Sequence, residues 1–223
     1  MSQDFLQLIQ SGDAAAVAAA LESDPSLAEY RDAQGVSALL WAAYTGQRKV
    51  SILLSAKLAT LGIPLDVFEA ASTGDEARLQ TILSEKASAT EEFSSDGWTA
   101  LHLAAAFGTP LSVGALIFRG ARVDAISQNA QQNQPLHAAL ALGKNPSTIE
   151  LLVSHGADVN ATQAGGFTPI FSAAAANRID LVEMLMEHGA NPRHASDQGN
   201  TPADFARNHG HVELAAWLDS LPA

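Results

Sequence analysis

The 223-residue chain contains no cysteine. Disulfides, thiolate metal centres and a cysteine nucleophile are therefore excluded, and redox chemistry would need a bound cofactor. Basic residues are also scarce. Twelve Lys/Arg stand against 24 Asp/Glu, a formal charge of −12, which argues against nucleic-acid or anionic-lipid binding through bulk electrostatics and favours encounter with a basic surface. No apolar stretch reaches the roughly 18 to 20 residues that span a bilayer, because alanine, glycine and charged residues interrupt every run. The start, Met1-Ser2-Gln3-Asp4, offers no positive charge ahead of a hydrophobic segment, so no secretory signal is expected and the chain reads as soluble and cytoplasmic. Catalytic motifs are missing as well: there is no G-x-S-x-G elbow, no S-x-x-K, no phosphate loop and no G-x-G-x-x-G. Helix-spaced carboxylates such as Asp180, Glu183 and Glu187 read as a solvated face rather than a catalytic pair. The expectation is a protein that is no enzyme and carries no cofactor and no metal.

What the chain does have is apolar content, 47%, and repetition. Thr99-Ala100-Leu101-His102-Leu103-Ala104-Ala105-Ala106-Phe107-Gly108 recurs in weaker copies, with closing positions at Gly12, Gly46, Gly74, Gly108, Gly143, Asn177 and Gly210. The successive spacings are 34, 28, 34, 35, 34 and 33, a period that marks stacked supersecondary units. Each closing residue follows an alanine-rich apolar segment, as expected where a helix stops in a left-handed residue. A second helical pattern follows, for example Ile179, Leu181, Val182, Leu185 and Met186, and ends on Gly120, Gly156 or Gly189. The unit is helix, turn, helix, loop. Neither helix is long enough to be stable alone, so the units must stack, and small residues in the first helix against larger ones in the second predict a curved solenoid.

These features resemble the ankyrin repeat family, whose period is about 33 residues and whose signature is T-P-L-H-x-A. The best copies are Thr99-Ala100-Leu101-His102, Gln134-Pro135-Leu136-His137, Thr168-Pro169-Ile170-Phe171 and Thr201-Pro202-Ala203-Asp204, with Ser37-Ala38-Leu39-Leu40 weaker. The resemblance implies an all-α solenoid of stacked helix-turn-helix repeats with short β-hairpin fingers and polar end caps. Approximate units are 3–31, 32–64, 65–94, 95–128, 129–162, 163–196 and 197–223, together one ankyrin-repeat domain, with the first and third units degenerate. A second level of repetition lies within it: Gly12, Asp13, Gly35, Leu39, Ala42, Ala43 and Gly46 map onto Gly74, Asp75, Gly97, Leu101, Ala104, Ala105 and Gly108, always 62 residues later.

The spacing of 28 between Gly46 and Gly74 leaves too little chain for a finger between the second and third units. Instead Gly62-Ile63-Pro64 is expected to lead straight into a helix that Pro64 initiates and Asp66 favours. Ser2, Gln3, Asp4, Gln7 and Gln10 around Phe5, Leu6 and Ile9 read as one cap, and Glu213 and Asp219 around Leu214, Trp217 and Leu218 as the other.

The densest histidine group is His209 and His211 with His188 and His194 upstream, and it reads as structural, like the TPLH histidines His102 and His137, which in this family tie neighbouring repeats together. The resemblance also implies that a protein partner is met by the finger tips and the two inner-helix positions before each closing residue. The tips are expected at Val36, Trp98, Asn133, Phe167 and Asn200, and the helix positions at Tyr44 and Thr45, Ala106 and Phe107, Ala141 and Leu142, Ala175 and Ala176, Asn208 and His209. Tyr44, Trp98, Phe107, Leu142 and Phe167 would form an apolar row on the concave side, with Asn133, Asn200 and Asn208 as polar partner-binding positions; Trp41 and Trp217 are expected in the core. The function expected is protein–protein interaction by a monomer. The alternative is an acidic inhibitor that masks a basic surface, docking near Glu85, Glu91, Glu92 and Asp96, since residues 1–96 carry 14 acids and 6 bases against 10 and 6 in 97–223.

Overall fold

A computed structural model describes residues 2–143 and 145–221, apart from the side chains of Ser2 and Gln3. The caps proposed at Ser2 and Gln3 therefore lie outside the described residues, as does the end of the last unit. Among the described residues the chain forms an all-α solenoid of consecutive helix pairs: α1 (Ser2–Ser11) and α2 (Ala14–Ser23), α3 (Ala38–Tyr44) and α4 (Arg48–Leu61), α5 (Val67–Thr73) and α6 (Glu76–Glu85), α7 (Ala100–Phe107) and α8 (Pro110–Phe118), α9 (Pro135–Ala138) and α10 (Pro146–Ser154), α11 (Pro169–Ala175) and α12 (Ile179–Glu187), α13 (Pro202–Asn208) and α14 (Val212–Ser220). The first helices pack one on the next from α1 through α13 as an unbroken inner row, and the second helices form an outer row in which α2 meets α4 and α6 and α10 flank α8.

Alanine explains how the inner row closes. Ala100 to Ala106 of α7 are all buried, and without larger side chains the helix ends come together backbone against backbone. This is where the expectation for the closing glycines fails in an informative way. Gly12, Gly46, Gly74, Gly210 and Asn177 do adopt positive φ, but Gly108 lies at φ −81° and ψ −148°, and Gly143 closes a π-turn over Ala139–Gly143. Neither is selected for left-handed backbone. A Cβ on Gly108 would sit 2.3 Å from the Ala71 carbonyl oxygen, and one on Gly143 would sit 2.5 Å from that of Ala105. Both are glycine because the preceding inner helix ends against them. The π-turn coincides with one extra residue in that unit's turn, since Asn145 rather than the residue after Gly143 caps α10, whereas Thr109 directly follows Gly108 and caps α8.

The 62-residue duplication carries into three dimensions. Asp13 and Asp75 cap α2 and α6 with φ/ψ of −73°/81° and −77°/83°. Short 3₁₀ turns follow at Pro25–Glu29 and Ala87–Thr90. Antiparallel bridges then pair Arg31 with Ser37 and Phe93 with Thr99. Three fingers carry a single bridge, the third between Gln163 and Phe167, and all five close in tight turns rather than extended hairpins. They are joined edge to edge, the Gln128, Ala164 and Asp197 N–H groups donating to the carbonyls of Gly97, Gln131 and Gly165.

Between the second and third units the chain has no such finger. Helix α4 runs to 14 residues, Gly62 ends it in the left-handed region at φ 72°, and α5 begins five residues later. Pro64 does not initiate that helix. Asp66 is the N-cap, accepting from the Phe68 and Glu69 N–H groups at 2.9 and 2.8 Å, while Glu69 accepts from the Asp66 N–H at 3.1 Å. This Asp-x-x-Glu capping box stands where α7 uses Thr99-x-x-His102, which is how a unit without TPLH residues still starts its inner helix. Replacing Asp66 with alanine should cost about 1–2 kcal/mol, read as a lower urea midpoint at unchanged slope.

Candidate functional site

The inner row and the fingers bring the sequence-selected aromatics into two groups. In the first, on α3 and α7, the Tyr44 ring stands between Trp41 (centroids 6.1 Å, 75°) and Phe107 (5.5 Å, 50°). In the second, Phe167 packs on Phe171 at 5.3 Å and on Phe205 at 5.2 Å. Tyr44, Trp98, Phe107 and Phe167 are all half-buried, and Trp98 meets the His102 ring edge-on at 5.6 Å. Leu142, in the π-turn between the two groups, is 48% exposed. Asn208 is exposed and Asn200 half-buried.

The expectations for Val36, Asn133, Ala106, Trp41 and Trp217 need correction. Asn133 is buried and Val36 is buried with it, because the true tips lie further back in the chain. The turns close through Gly35, Gly97, Gln132, Gly166 and Gly199 N–H groups onto the carbonyls of Asp32, Ser94, Asn129, Gln163 and Ser196, which puts Ala33-Gln34, Ser95-Asp96, Ala130-Gln131, Ala164-Gly165 and Asp197-Gln198 at the tips. Asn133 sits on the return limb, where its carbonyl receives the His102 Nε2–H at 3.0 Å. Ala106 is likewise buried. Trp41 is not sealed in the core: it is half-buried and its Nε1–H donates to Asp32 Oδ2 at 2.7 Å. Trp217 is half-buried against the last helix pair.

Electrostatics distinguish the first aromatic group. The Tyr44 hydroxyl donates to Asp96 Oδ2 at 2.6 Å and the Ser94 hydroxyl to Asp96 Oδ1 at 2.6 Å. Burial, the bond to Asp96 and the charges of Asp96 and Asp32 push the Tyr44 phenol far above its usual range, so it remains a neutral donor. Asp32 accepts from the Gln34 and Val36 N–H groups at 2.9 Å each besides Trp41. Neither carboxylate has a cationic partner among the described residues; the nearby Arg31 guanidinium is engaged by Asp66 at 3.0 Å and Glu69 at 3.4 Å.

The histidines hold backbone. His194 places Nε2 on the Gly166 carbonyl of its own unit's finger, and His211 on the Ala175 carbonyl of the preceding unit, each at 3.0 Å. His155, His188 and His209 place Nδ1 on the carbonyl four residues earlier at 2.8 Å. Among the described residues no group of three or more His, Asp or Glu side chains converges as a metal would require, and no helix is long and apolar enough to cross a membrane.

Sequence reasoning missed a cleft of about 740 Å³ between the second, third and fourth units, lined by Arg48, Ser51, Ile52, Ser72, Thr73 and Phe107 among others. It is walled by the turns that join α3 to α4, α5 to α6 and α7 to α8, together with the first part of α4. It also missed the outward Phe118 of α8, 86% exposed.

Comparison with known proteins agrees with this architecture. A profile described as "Ankyrin repeats (3 copies)" matches residues 67–163 and 145–220. The mouse B-cell lymphoma 3 protein homolog is 30% identical over 119 residues, which is 53% of this chain and 26% of that protein. The putative ankyrin repeat protein FPV031 of fowlpox virus (strain NVSL) is 30% identical over 130 residues, 56% of this chain and 38% of its own length. Human Rabankyrin-5 is 39% identical over 84 residues, 37% of this chain and 7% of its own. The chain thus spans well under half the length of these relatives. Ankyrin repeats generally serve protein–protein interaction and are typically non-catalytic. On the helix pairs, the linked fingers and the match over residues 67–220, the chain belongs to the ankyrin repeat family.

Proposed function

We propose that this chain is a non-catalytic, monomeric, cytoplasmic binding protein that seats a protein partner on its concave side, across the inner helices and the fingers. The observation that carries the reading is the set of half-buried rings Tyr44, Trp98, Phe107 and Phe167 together with the exposed Leu142. Rings anchored on one side and wet on the other are the material of binding hot spots. A scaffold already ordered by its inner row loses little conformational freedom on binding. Asn200 and Asn208 supply polar contacts at the C-terminal end of the same face; buried Asn133 is no longer part of it.

Replacing Trp98 and Phe107 together with alanine should weaken binding of a partner captured from the source cell at least about thirtyfold. Because Phe107 also packs on Tyr44, the exposed Leu142 is the cleaner probe: Leu142→Asp should leave the thermal midpoint within about a degree and still reduce binding. Undiminished affinity in both variants contradicts the assignment.

A further inference from the structure

We infer that the Trp41–Tyr44–Phe107 group with Asp32 and Asp96 is a subsite for an arginine side chain of the partner. The inference rests on the concave-face reading above and sharpens it to a chemical group. Three rings and two carboxylates meet on neighbouring elements, α3, the end of α7 and the fingers at residues 32–35 and 94–97. Each Asp96 oxygen is fixed by one neutral hydroxyl, Tyr44 or Ser94. A carboxylate has about four acceptor sites, so both oxygens keep capacity for a second donor. The carboxylate is therefore oriented but not neutralised.

The occupant follows from complementarity. With no cation paired to Asp32 or Asp96 among the described residues, the site carries two negative charges beside aromatic faces. A guanidinium meets both features at once: it stacks on aromatic faces and its planar fork fits a carboxylate through two parallel bonds. An ammonium satisfies the charge but neither the fork nor the stacking plane. Tyr44, held protonated, keeps its hydroxyl on Asp96 and so holds the carboxylate in position without adding charge of its own. Asp124, Asp180 and Asp204, by contrast, pair with Arg122, Arg178 and Arg207.

The test is selection of a random twelve-residue peptide library on the full chain, repeated on Asp96→Asn and on Glu183→Gln, which removes the same charge from the exposed outer face of α12. The expected result is enrichment of peptides sharing one arginine. Affinity of the leading peptide should fall about tenfold or more when that arginine becomes lysine or when Asp96 becomes asparagine, and less than twofold with Glu183→Gln, while Asp96→Asn, which loses one acceptor for the Tyr44 and Ser94 hydroxyls, still unfolds in one cooperative transition with its midpoint lowered by no more than a few degrees. Equal losses with Asp96→Asn and Glu183→Gln mean bulk attraction only and overturn the subsite. Enrichment of peptides without arginine that still depend on Trp98 and Phe107 overturns the subsite and leaves the concave-face reading standing. Enriched peptides indifferent to Trp98, Phe107 and Asp96, or no enrichment at all, overturn both.

Discussion

Replacing Gly108 with alanine should destabilise the protein by about 3 kcal/mol, whereas the same change at Gly46 should cost only about 1 kcal/mol. The two glycines occupy equivalent places in their repeats and differ in why they are glycine. At Gly46 the backbone is left-handed, φ 70°, and nothing lies within 4 Å of an added Cβ, so the penalty is the conformational preference of an L-residue alone. At Gly108 φ is −81°, so no left-handed preference applies, but the Cβ meets the Ala71 carbonyl at 2.3 Å and the Ala104 backbone at 3.0 Å. Relief requires α5 and α7 to move apart, and the alanines between them cannot fill the resulting gap. Overpacking of this kind typically costs 1–3 kcal/mol, here at the upper end because backbone rather than a flexible side chain stands in the way. Urea unfolding of both variants measures the difference; equal losses would mean that the inner row tolerates separation and that its close approach does not hold the stack.

Stability should also fall by about 3 kcal/mol as pH drops from 6.5 to 4, through His102. Its Nε2–H donates to the Asn133 carbonyl of the next unit, and its Nδ1 receives the Thr99 hydroxyl at 2.8 Å and the Thr99 N–H at 3.3 Å. Only the neutral tautomer fits, since a second proton would face the Thr99 N–H. Burial, opposed by the Asn133 bond and reinforced by His137, lowers the ring to about 4 from the usual 6.5. Above pH 6.5 the ring is neutral folded or unfolded and stability is fully present. Below it the unfolded chain takes up a proton that the native ring refuses, until about pH 4. Each pH unit of that interval is worth about 1.4 kcal/mol. His137, buried in the same arrangement against Ala161 and Phe167 and likewise lowered by burial, adds in the same direction. Glu69 acts oppositely, because burial and Asp66 raise its carboxyl. Chemical unfolding at steps from pH 7.5 to 4.5 should show the decline, and His102→Gln should be weaker at neutral pH but flatter across the range. An unchanged slope in the variant would assign the acid sensitivity elsewhere.

Much of this architecture was legible in the sequence because repeats announce themselves by phase. The closing residues, the Leu-His-x-Ala segments and the 62-residue offset gave the helix pairs, the duplicated caps and the absent finger. What sequence could not separate were two causes that select the same residue. Gly108 and Gly46 look alike in a string, yet one answers to a neighbouring carbonyl and the other to φ. The finger tips were displaced by a few positions for a related reason: counting from the TPLH start finds the return limb, where Trp98 and Asn133 lie, while the turn itself is set by hydrogen bonds closing at Gly97 and Gln132. Trp41 occupies the register of the fully buried Leu103, but indole is larger than the space that leucine fills, and it swings its N–H to Asp32. The carboxylates around Tyr44 could not be paired with it from sequence at all, since Asp96 lies 52 residues away, on the finger that stands directly against that of residues 32–35.

The most direct test of the binding face is amide hydrogen exchange on the full chain, free and saturated with its captured partner. New protection confined to residues 41–45, 95–98, 106–107, 141–143, 167, 200 and 208 and to the finger tips, with α4, α6, α8 and α12 unchanged, is the predicted footprint. Protection falling instead on those outer helices, or on the cleft around Ile52 and Ser72, would contradict it.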